Sequence, residues 1–249
     1  MILNSVSVDC VIFGFDKSGL KVLLHQIDSE QLKDTLPEQA SSEQIRQIYE
    51  KHPIFTGEVS WSLFGGHVPE DQDLDGFAKD LLFRATGLTD VYLQQIQAFG
   101  SLERVPYTRV ITIGYYALIN PDYYHLKQSN FDKSMQWYNL SEMPELCFDH
   151  EQIIQEALLK LRQEVMYHPV GFHLLPEKFT LTEIQLLYEV ILNKKMDTRN
   201  FRKKLAKMGL LIDSGEKQQN VAHRAAKLYQ FDIQVYARLK DEGLNFRIE

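Results

Sequence analysis

The first half of the chain alternates short apolar runs with polar turns, which is the pattern typical of β-strands. The run at residues 7–15 is followed by a turn at 16–19 and a second run at 20–25, and together they predict a β-hairpin. The runs at 92–102 and 109–119 are rich in β-branched and aromatic residues and predict two more strands. The N-terminal part is therefore expected to contain a sheet.

Two segments of the same part have the spacing of amphipathic helices. Apolar residues recur every three or four positions in 74–86, and Gly87 follows in the position of a helix C-cap. A second helix is predicted at 150–167. The polar, acidic segment 29–52 is typical of a surface insertion, and the Pro- and Gly-containing segment 168–176 predicts a linker.

Helical spacing of apolar residues continues after the segment 168–176. Thr180 and Glu183 form a capping-box sequence that begins a helix extending to about residue 192. Either Asp197 or Thr198 can cap the next helix, at 199–208, which a glycine ends.

A β-hairpin is predicted after these helices. Its strands are 210–213 and 226–231, and the loop 214–223 joins them. The order helix, turn, helix, hairpin is that of a winged helix. We therefore expect two domains, one at residues 1–168 and a DNA-binding domain at 169–249.

The charge of the chain divides in the same way. The net charge is −7, but residues 176–249 contain 14 Lys/Arg against 10 Asp/Glu, which leaves −11 on residues 1–175. Within 194–227, ten basic residues stand against three acidic ones. A basic stretch inside an acidic protein favours a polyanionic partner for the C-terminal part.

Composition excludes several classes of protein. A hydrophobic content of 44% and a charged content of 24% are ordinary for a globular chain and exclude a disordered or fibrous one. No apolar run approaches the roughly 18 residues of a membrane span, and the N-terminus lacks signal-peptide features. With only Cys10 and Cys147, we expect no disulfide framework and no structural zinc. These features predict a cytoplasmic protein without a membrane partner.

The segment 66–88 resembles the signature of the Nudix hydrolases, G-x5-E-x7-R-E-U-x-E-E-x-G-U, in which U is aliphatic. Gly66, Leu82, Gly87 and Leu88 match its structural positions. The preceding Trp-Ser-Leu-Phe-Gly-Gly at 61–66 resembles the W-x-L-P-G-G entrance of that family. The resemblance covers roughly residues 7–165 and implies a Nudix fold.

The chemical positions of the signature do not match. Gln72, Leu81, Arg84 and Ala85 stand where the family has metal-binding glutamates, and Asp80 stands where it has arginine. The family uses carboxylates there to hold divalent cations and to generate a nucleophilic water. Acidic residues nearby are candidate substitutes, although such residues usually form a solvated helix face: Glu70, Asp73, Asp75 and Asp80. We therefore predict no bound metal, no cofactor and no enzymatic activity.

A Nudix cleft without its carboxylates suggests binding of an effector. Asp9 interrupts an apolar strand, where a buried charge needs a partner, so a salt bridge and a ligand contact are both open. Arg104 and Arg109 suit either sugar and phosphate groups or surface salt bridges, and Trp61 and Phe64 suit either ligand stacking or the core. The candidate effector residues are Asp9, Trp61, Phe64, Arg104, Tyr107 and Arg109.

The helix 199–208 has an apolar face, formed by Phe201, Leu205 and Met208, and a basic face. Arg suits guanine edges, Asn suits adenine and Lys suits phosphates, so the basic face fits the major groove. A charged face alone is also typical of a solvated helix, but the preceding helix and the following hairpin favour DNA. The candidate DNA-binding residues are Thr198, Arg199, Asn200, Arg202, Lys203, Lys204, Lys207, Lys217, Gln218 and Arg224.

The C-terminal motifs are similar to those of the Nudix-related transcriptional regulators, in which a Nudix domain precedes a winged helix. Asn-Phe-Arg-Lys-Lys-Leu at 200–205 and His-Arg-Ala-Ala-Lys-Leu-Tyr at 223–229 resemble their N-F-R-R-K helix and G-R-P-A-x-L-Y wing. His223 replaces the glycine of the wing, and an alanine replaces its proline. The resemblance covers nearly the whole chain, and with it we expect an α/β (α+β) Nudix fold with a C-terminal winged helix-turn-helix domain.

This resemblance implies a homodimeric repressor of a cofactor or sugar-catabolism operon that responds to ADP-ribose or to a sugar such as arabinose. A symmetric dimer reads two half-sites, so we expect a palindromic double-stranded DNA operator. Because the domain is acidic and lacks metal ligands, binding a diphosphate has an electrostatic cost, so we expect arabinose in preference to ADP-ribose and a catabolic operon as target. One alternative is an active Nudix hydrolase of nucleoside diphosphate sugars with a nucleic-acid-binding appendage. An RNA-binding module ranks last, because the basic helix face carries no stacking aromatic.

Overall fold

The N-terminal part of the chain folds around one mixed β-sheet. The computed structural model describes residues 5–27, 60–105, 108–121, 134–219, 224–242 and 246–248. The predicted insertion at 29–52, the candidate effector residue Tyr107 and the wing residue His223 lie outside these ranges. Within them, the strands of this sheet are β1 (Val6–Asp16), β2 (Gly19–Ile27), β3 (Ser60–Ser62), β4 (Phe64–His67), β5 (Tyr92–Phe99), β6 (Ile111–Leu118) and β7 (Met135–Asn139).

Strand β1 is the centre of this sheet. It pairs in parallel with β6 along one side, and on the other side it pairs with β4 near its start and with β2 near its end, both antiparallel. The predicted hairpin is confirmed as the β1–β2 pair. The short strands β3, β4 and β7 carry too little alternation to be found from sequence and form by pairing with β1 and β2.

Helices cover both faces of the sheet. Helix α1 (Leu74–Thr86) packs on one face and helix α2 (His150–Tyr167) on the other, at the positions that the periodicity predicts. Gly87 ends α1 in the left-handed conformation, with φ of 68°, and its N–H binds the Phe83 carbonyl oxygen. The predicted C-cap is thus confirmed, and a glycine suits it because it has no side chain to oppose a positive φ.

The C-terminal part has the predicted winged-helix order. It contains α3 (Leu181–Leu192), α4 (Thr198–Met208), β8 (Leu211–Lys217), β9 (Lys227–Phe231) and α5 (Ile233–Asp241). The Thr180–Glu183 capping box is formed in both directions, and Asp197 rather than Thr198 caps α4. Strand β8 is longer than predicted because a bulge between Asp213 and Lys217 lets its polar half remain paired with β9.

The segment 168–176 is not the exposed linker that its Pro and Gly residues predict. Residues Pro169–Leu174 form a 3-10 helix, and most of its side chains are buried. Phe172 stacks on Phe231 of β9 with ring centroids 4.3 Å apart, and Leu174 is fully buried. The segment packs because its apolar side chains fill the junction, and one hydrophobic cluster runs from the sheet through it to α3 and α4. The domain boundary at 168/169 stays a prediction.

None of the helices among the described residues is both long and apolar enough to cross a membrane.

Candidate effector pocket and nucleic-acid interface

Helix α4 presents a basic face to solvent. Phe201 and Leu205 are buried against the core, as the helical spacing predicts, and Phe201 packs on Tyr188 of α3. Arg199, Lys203 and Lys207 are exposed on the opposite side, and none of the three has an ion-pair partner among the described residues. Their charge is therefore available to a partner from outside the chain.

Two other candidates on α4 are exposed but contact α3, and a third is partly buried. The Thr198 hydroxyl accepts a hydrogen bond from Gln185 of α3 at 3.1 Å, and Arg202 donates to the Thr182 hydroxyl at 3.2 Å. Lys204 is half-buried, whereas Asn200 is exposed. Thr198 and Arg202 therefore help to hold α4 against α3, in addition to any role at an interface.

The turn between α3 and α4 is held by one carboxylate. Glu189 accepts hydrogen bonds from the Gln185 amide, the Met196 backbone N–H and the Lys195 ammonium group. The bond from Gln185, followed by those from Met196 and Lys195, lowers the pKa of Glu189 to about 2. The α3–α4 geometry thus depends on polar contacts as well as on the core beneath it.

The hairpin β8–β9 carries the remaining candidates. Lys217 and Arg224 are exposed, and the Gln218 backbone N–H donates to the Ala226 carbonyl oxygen at 2.9 Å. Lys227 is paired with Asp213 at 2.6 Å across the strands. The wing therefore has exposed cations next to its internal ion pair, which suits contact with a phosphate backbone.

The Nudix signature positions on α1 are occupied by structural side chains. Leu81 and Ala85 are buried in the core between α1 and the sheet. The Arg84 guanidinium lies over the Phe77 ring at 5.6 Å from its centroid, and the Gln72 amide donates to the Asp80 carboxylate at 2.7 Å. A carboxylate at position 81 or 85 would have to lie in an apolar environment, which is unfavourable.

The neighbouring acidic residues have structural partners. Asp73 caps α1 by accepting from the Gly76 N–H, and Asp75 accepts from the Tyr115 hydroxyl. The pKa of Tyr115 is raised, mainly by burial and secondly by that hydrogen bond. In the part of the chain that the structure describes, no group of three or more His, Cys, Asp or Glu side chains is arranged to hold a metal ion.

A pocket of about 220 Å³ lies between β1, β4 and the start of α2, on the sheet face opposite α1. Its polar lining includes Asp9, Ser62, His67, Arg104, Thr112 and His150. The pairing of β1 with β4 places Asp9 opposite Gly65. A methyl group on Gly65 would overlap the Asp9 Oδ1 atom, so this glycine leaves the space that the carboxylate uses.

Arg104 ties together the two carboxylates beside the pocket. Its Nη2 and Nε atoms donate to Asp149 at 2.8 and 3.0 Å, and its Nη2 reaches Asp9 at 3.4 Å. The Arg104 side chain is only 4% exposed, and those of Asp9 and Asp149 are 10% and 15% exposed. One cation therefore offsets two carboxylates in a largely dry environment, where each charge needs a partner.

His150 is the first residue of α2 and forms part of the pocket wall. Its Nδ1 accepts from the Leu63 backbone N–H at 3.2 Å, which in a neutral ring places the proton on Nε2. Burial lowers the pKa of His150, an effect that the nearby Asp9 and Asp149 oppose. At neutral pH the ring is thus uncharged, and its Nε2 atom lies 3.8 Å from the Asp9 Oδ2 atom.

The structure separates the predicted effector residues into three groups. Asp9 and Arg104 line the pocket, and their salt bridge is one of the two alternatives open from sequence. Trp61 and Phe64 do not line this pocket: Trp61 is half-buried and packs against Tyr138, and Phe64 is buried on the α1 side of the sheet. This packing fits the core alternative that was open from sequence, and a ligand contact of either residue stays a prediction.

Arg109 forms the third group. Its guanidinium donates to the backbone carbonyl oxygens of Gly100 and Ser101 at 2.8 and 3.0 Å, so it holds the turn after β5. Tyr107 lies outside the described residues.

Sequence reasoning missed His150, Thr112 and His67 as pocket residues. His150 begins a helix and Thr112 lies inside an apolar strand, so neither carries a local pattern that marks a binding site. Only the alternation of side chains along β1 and β6 indicates which residues share a face with Asp9. Tertiary packing is needed to bring the start of α2 to that face.

Comparisons with known proteins agree with this architecture. Residues 171–231 match the family model of the NrtR DNA-binding winged helix domain. The chain is 29% identical over 235 residues to the ADPR responsive transcriptional repressor NtrR of Acinetobacter baylyi, covering 93% of this chain and 83% of that relative.

Two solved structures extend the comparison to the fold. Shewanella oneidensis NrtR in complex with a 27mer DNA matches with a TM-score of 0.72 and 28% identity, over 93% of this chain and 95% of that one. A MutT/nudix family protein from Enterococcus faecalis matches with a TM-score of 0.62 and 20% identity, over 93% and 87%, which shows a shared fold.

The protein therefore combines a Nudix-fold domain with a C-terminal winged helix. It is similar to the Nudix-related transcriptional regulators, and its residues 171–231 match a winged helix of the NrtR type. The resemblance stated from sequence and the fold class are confirmed. The comparisons do not support arabinose as the effector or a catabolic operon as the target, both of which rest on the charge argument and the resemblance.

Proposed function

We propose that this protein is a repressor that binds operator DNA through α4 and the β8–β9 wing, and that ADP-ribose or a related nucleotide sugar bound in the Nudix-fold domain modulates this binding. The observation that carries the proposal is the exposed basic face of α4, for which the described part of the chain supplies no ion-pair partner, within a winged helix of the NrtR type. The DNA complex of the Shewanella protein, similar along nearly the whole chain, supports the same role for this domain.

The basic face has the chemistry that duplex DNA requires. Arg199 and Asn200 lie at the exposed N-terminal end of α4, where a recognition helix enters the major groove and reads base edges. Lys203 and Lys207 lie one and two turns further along, where phosphates are within reach of a lysine. Lys217 and Arg224 of the wing extend the basic surface to the flanking backbone.

ADP-ribose replaces arabinose as the preferred effector. The Acinetobacter relative is an ADPR responsive repressor, and it is similar to 93% of this chain. The pocket at Asp9 lies in the Nudix-fold domain and offers both hydrogen-bond acceptors and donors. The negative charge that disfavours a diphosphate belongs to the whole domain and does not decide which part of a larger effector enters this pocket.

Helix α2 connects the pocket to the winged helix. Its first residue, His150, lines the pocket, and its 18 residues span about 27 Å at 1.5 Å per residue. Near its other end, Arg162 donates to the Ile191 carbonyl oxygen of α3 at 2.8 Å, and the Met166 carbonyl oxygen accepts from Ile248. A ligand that shifts Asp149 and His150 would therefore change how α3 packs against α2.

We further propose that the protein acts as a homodimer, joined mainly through the Nudix-fold domains. One winged helix contacts too few base pairs for operator-level specificity, and two-fold symmetric dimers read two half-sites about one helical turn apart. A palindromic operator follows from this symmetry. Light scattering coupled to gel filtration measures the assembly, and a monomeric mass at micromolar concentration would contradict it.

The test of the proposed function is fluorescence anisotropy with a DNA fragment from upstream of the gene for this chain. We expect specific binding that an unrelated duplex of equal length does not compete away, and a change in the apparent Kd when ADP-ribose is added in EDTA. Arabinose at the same concentration serves as the matched control. DNA binding without sequence preference would contradict the proposed role as a regulator. A change in the apparent Kd with arabinose but not with ADP-ribose would contradict the proposed effector.

We propose that effector binding occurs without hydrolysis, because Leu81 and Ala85 occupy buried signature positions. ADP-ribose incubated with the protein and Mg²⁺ or Mn²⁺ should give no more AMP than buffer does, measured by liquid chromatography. Metal-dependent turnover that disappears in Asp80→Asn would instead support the hydrolase alternative.

A further inference from the structure

The pocket between β1, β4 and α2 is too small for a whole nucleotide sugar. Its volume of about 220 Å³ is below the roughly 300–1,000 Å³ of pockets that enclose drug-sized ligands. ADP-ribose contains two riboses, a diphosphate and an adenine, whereas a space of this size suits one sugar ring. Only one part of such an effector can therefore enter the pocket.

The charges around the pocket indicate which part it is. Asp9 and Asp149 supply two carboxylates, Arg104 supplies one guanidinium, and His150 is neutral. Arg104 is the only Lys or Arg among the described lining residues, and its closest contacts are with Asp149. A phosphate here would meet net negative charge without an uncommitted cation, so sugar hydroxyls are the more compatible group.

Asp9 retains capacity to accept hydrogen bonds. Its contacts with Arg104 at 3.4 Å and His150 at 3.8 Å both involve Oδ2, and both are longer than the roughly 2.7–2.9 Å of a charge-assisted hydrogen bond. Its Oδ1, on the side of Gly65, receives no hydrogen bond from the described residues. A carboxylate beside a ring N–H, as on Asp9 and His150, is suited to adjacent hydroxyls of a sugar.

We propose that this pocket binds the terminal ribose of the effector, with Asp9 accepting hydrogen bonds from adjacent ribose hydroxyls and His150 Nε2 donating one, while the diphosphate stays outside. The terminal ribose suits a small pocket better than the ribose of adenosine does. It is attached to the rest of ADP-ribose through a single position, whereas the ribose of adenosine carries a substituent at each end. The inference rests on the proposed function, since it divides that effector between the pocket and the surface beyond it.

The experiment is calorimetric titration with ADP-ribose and with ADP, which lacks the terminal ribose, both in EDTA. Wild-type protein should bind ADP-ribose at least ten-fold more tightly than ADP. Asp9→Asn should weaken ADP-ribose binding about ten- to hundred-fold, the range for hydrogen bonds to a charged group, and leave ADP binding unchanged. Gly65→Ala should give the same pattern, because its methyl group displaces the carboxylate.

Asp16→Asn is the matched control. Asp16 is at the other end of β1, paired with Lys21 and 42% exposed, so its loss should leave both affinities unchanged. Equal wild-type affinities for ADP-ribose and ADP, a comparison that needs no variant to fold, would overturn the inference, as would equal losses of both ligands in Asp9→Asn. These two results leave the proposed function standing, whereas no binding of ADP-ribose to wild-type protein overturns the proposed effector itself.

Discussion

The candidate effector pocket and the exposed face of α4 differ in how their charges are balanced. In the pocket, Arg104 is 4% exposed and is bonded to two carboxylates, and the neighbouring histidine is uncharged. On α4, Arg199, Lys203 and Lys207 are exposed and have no carboxylate partner among the described residues. The first region balances its charges internally, and the second leaves its charges for another molecule to balance.

This difference determines what each region can recognise. Buried, paired charges hold a fixed geometry and select a ligand by the few hydrogen-bond positions left open. Exposed, unpaired cations attract any polyanion over a Debye length of about 8 Å at physiological salt, and direct contacts with bases then add specificity. The same residue type, arginine, is thus a buried ion-pair partner at position 104 and an exposed cation, proposed to read DNA, at position 199.

Salt should affect the two regions very differently, and this is the largest effect that we expect. If the paired domains of a dimer contact six to ten phosphates, raising the salt concentration from 50 to 200 mM should weaken DNA binding by about 10³ to 10⁵. Titrations of ADP-ribose over the same range should show a much shallower dependence. Equal slopes of log Kd against log salt concentration for DNA and for ADP-ribose would contradict the contrast between the two regions.

Arg104→Ala should destabilise the protein by about 3 to 5 kcal/mol, because it leaves Asp9 and Asp149 buried without a cation. Lys203→Ala, which removes an exposed cation, should change the free energy of unfolding by no more than about 0.5 kcal/mol. Urea denaturation followed by circular dichroism measures both. Equal stabilities for the two variants would show that the Arg104 network does not hold the fold.

Arg199→Ala should cost about 1 to 3 kcal/mol of DNA-binding free energy per half-site and relax sequence preference, since a base contact is lost. Lys207→Ala is the matched variant on the same helix face. It should weaken binding to all sequences alike and reduce the salt slope by about one. Anisotropy with operator and unrelated DNA separates the two, and wild-type binding by both variants would exclude α4 as the reading helix.

The smallest effect concerns pH. Burial lowers the pKa of His150, so below the unfolded value of about 6.5 the unfolded chain binds more protons than the folded one. Stability should therefore be complete above pH 6.5 and fall as the pH is lowered, by at most about 1.4 kcal/mol per pH unit from this residue.

His150→Asn keeps a hydrogen-bond acceptor near the Leu63 N–H but does not titrate, so thermal unfolding between pH 5 and 7.5 should be less pH-dependent for this variant. Burial also lowers the pKa of His173, which lies outside this pocket. His173→Asn therefore provides the comparison variant. An unchanged pH profile for His150→Asn would show that the buried ring does not control acid sensitivity.

Local sequence was sufficient for the elements whose ends depend on neighbouring residues. Thr180 and Glu183 form their capping box, Gly87 takes its left-handed conformation, and α2 covers the predicted 150–167, because each feature depends on hydrogen bonds or side-chain spacing within a few residues. The basic face of α4 follows for the same reason. A helix with Phe201 and Leu205 inside must place Arg199, Lys203 and Lys207 outside.

Contacts between distant residues decided the rest. The segment 168–176 has the composition of a linker, yet it is buried because Phe172 stacks on Phe231, which lies some sixty residues later in the chain. Whether Asp9 would face a ligand or an arginine depended on Arg104 and on the start of α2 reaching the same face of the sheet. The sequence by itself determined the longer elements and the basic face of α4, whereas the pocket exists only after folding, because its walls come from strands and a helix that pairing and apolar burial bring together.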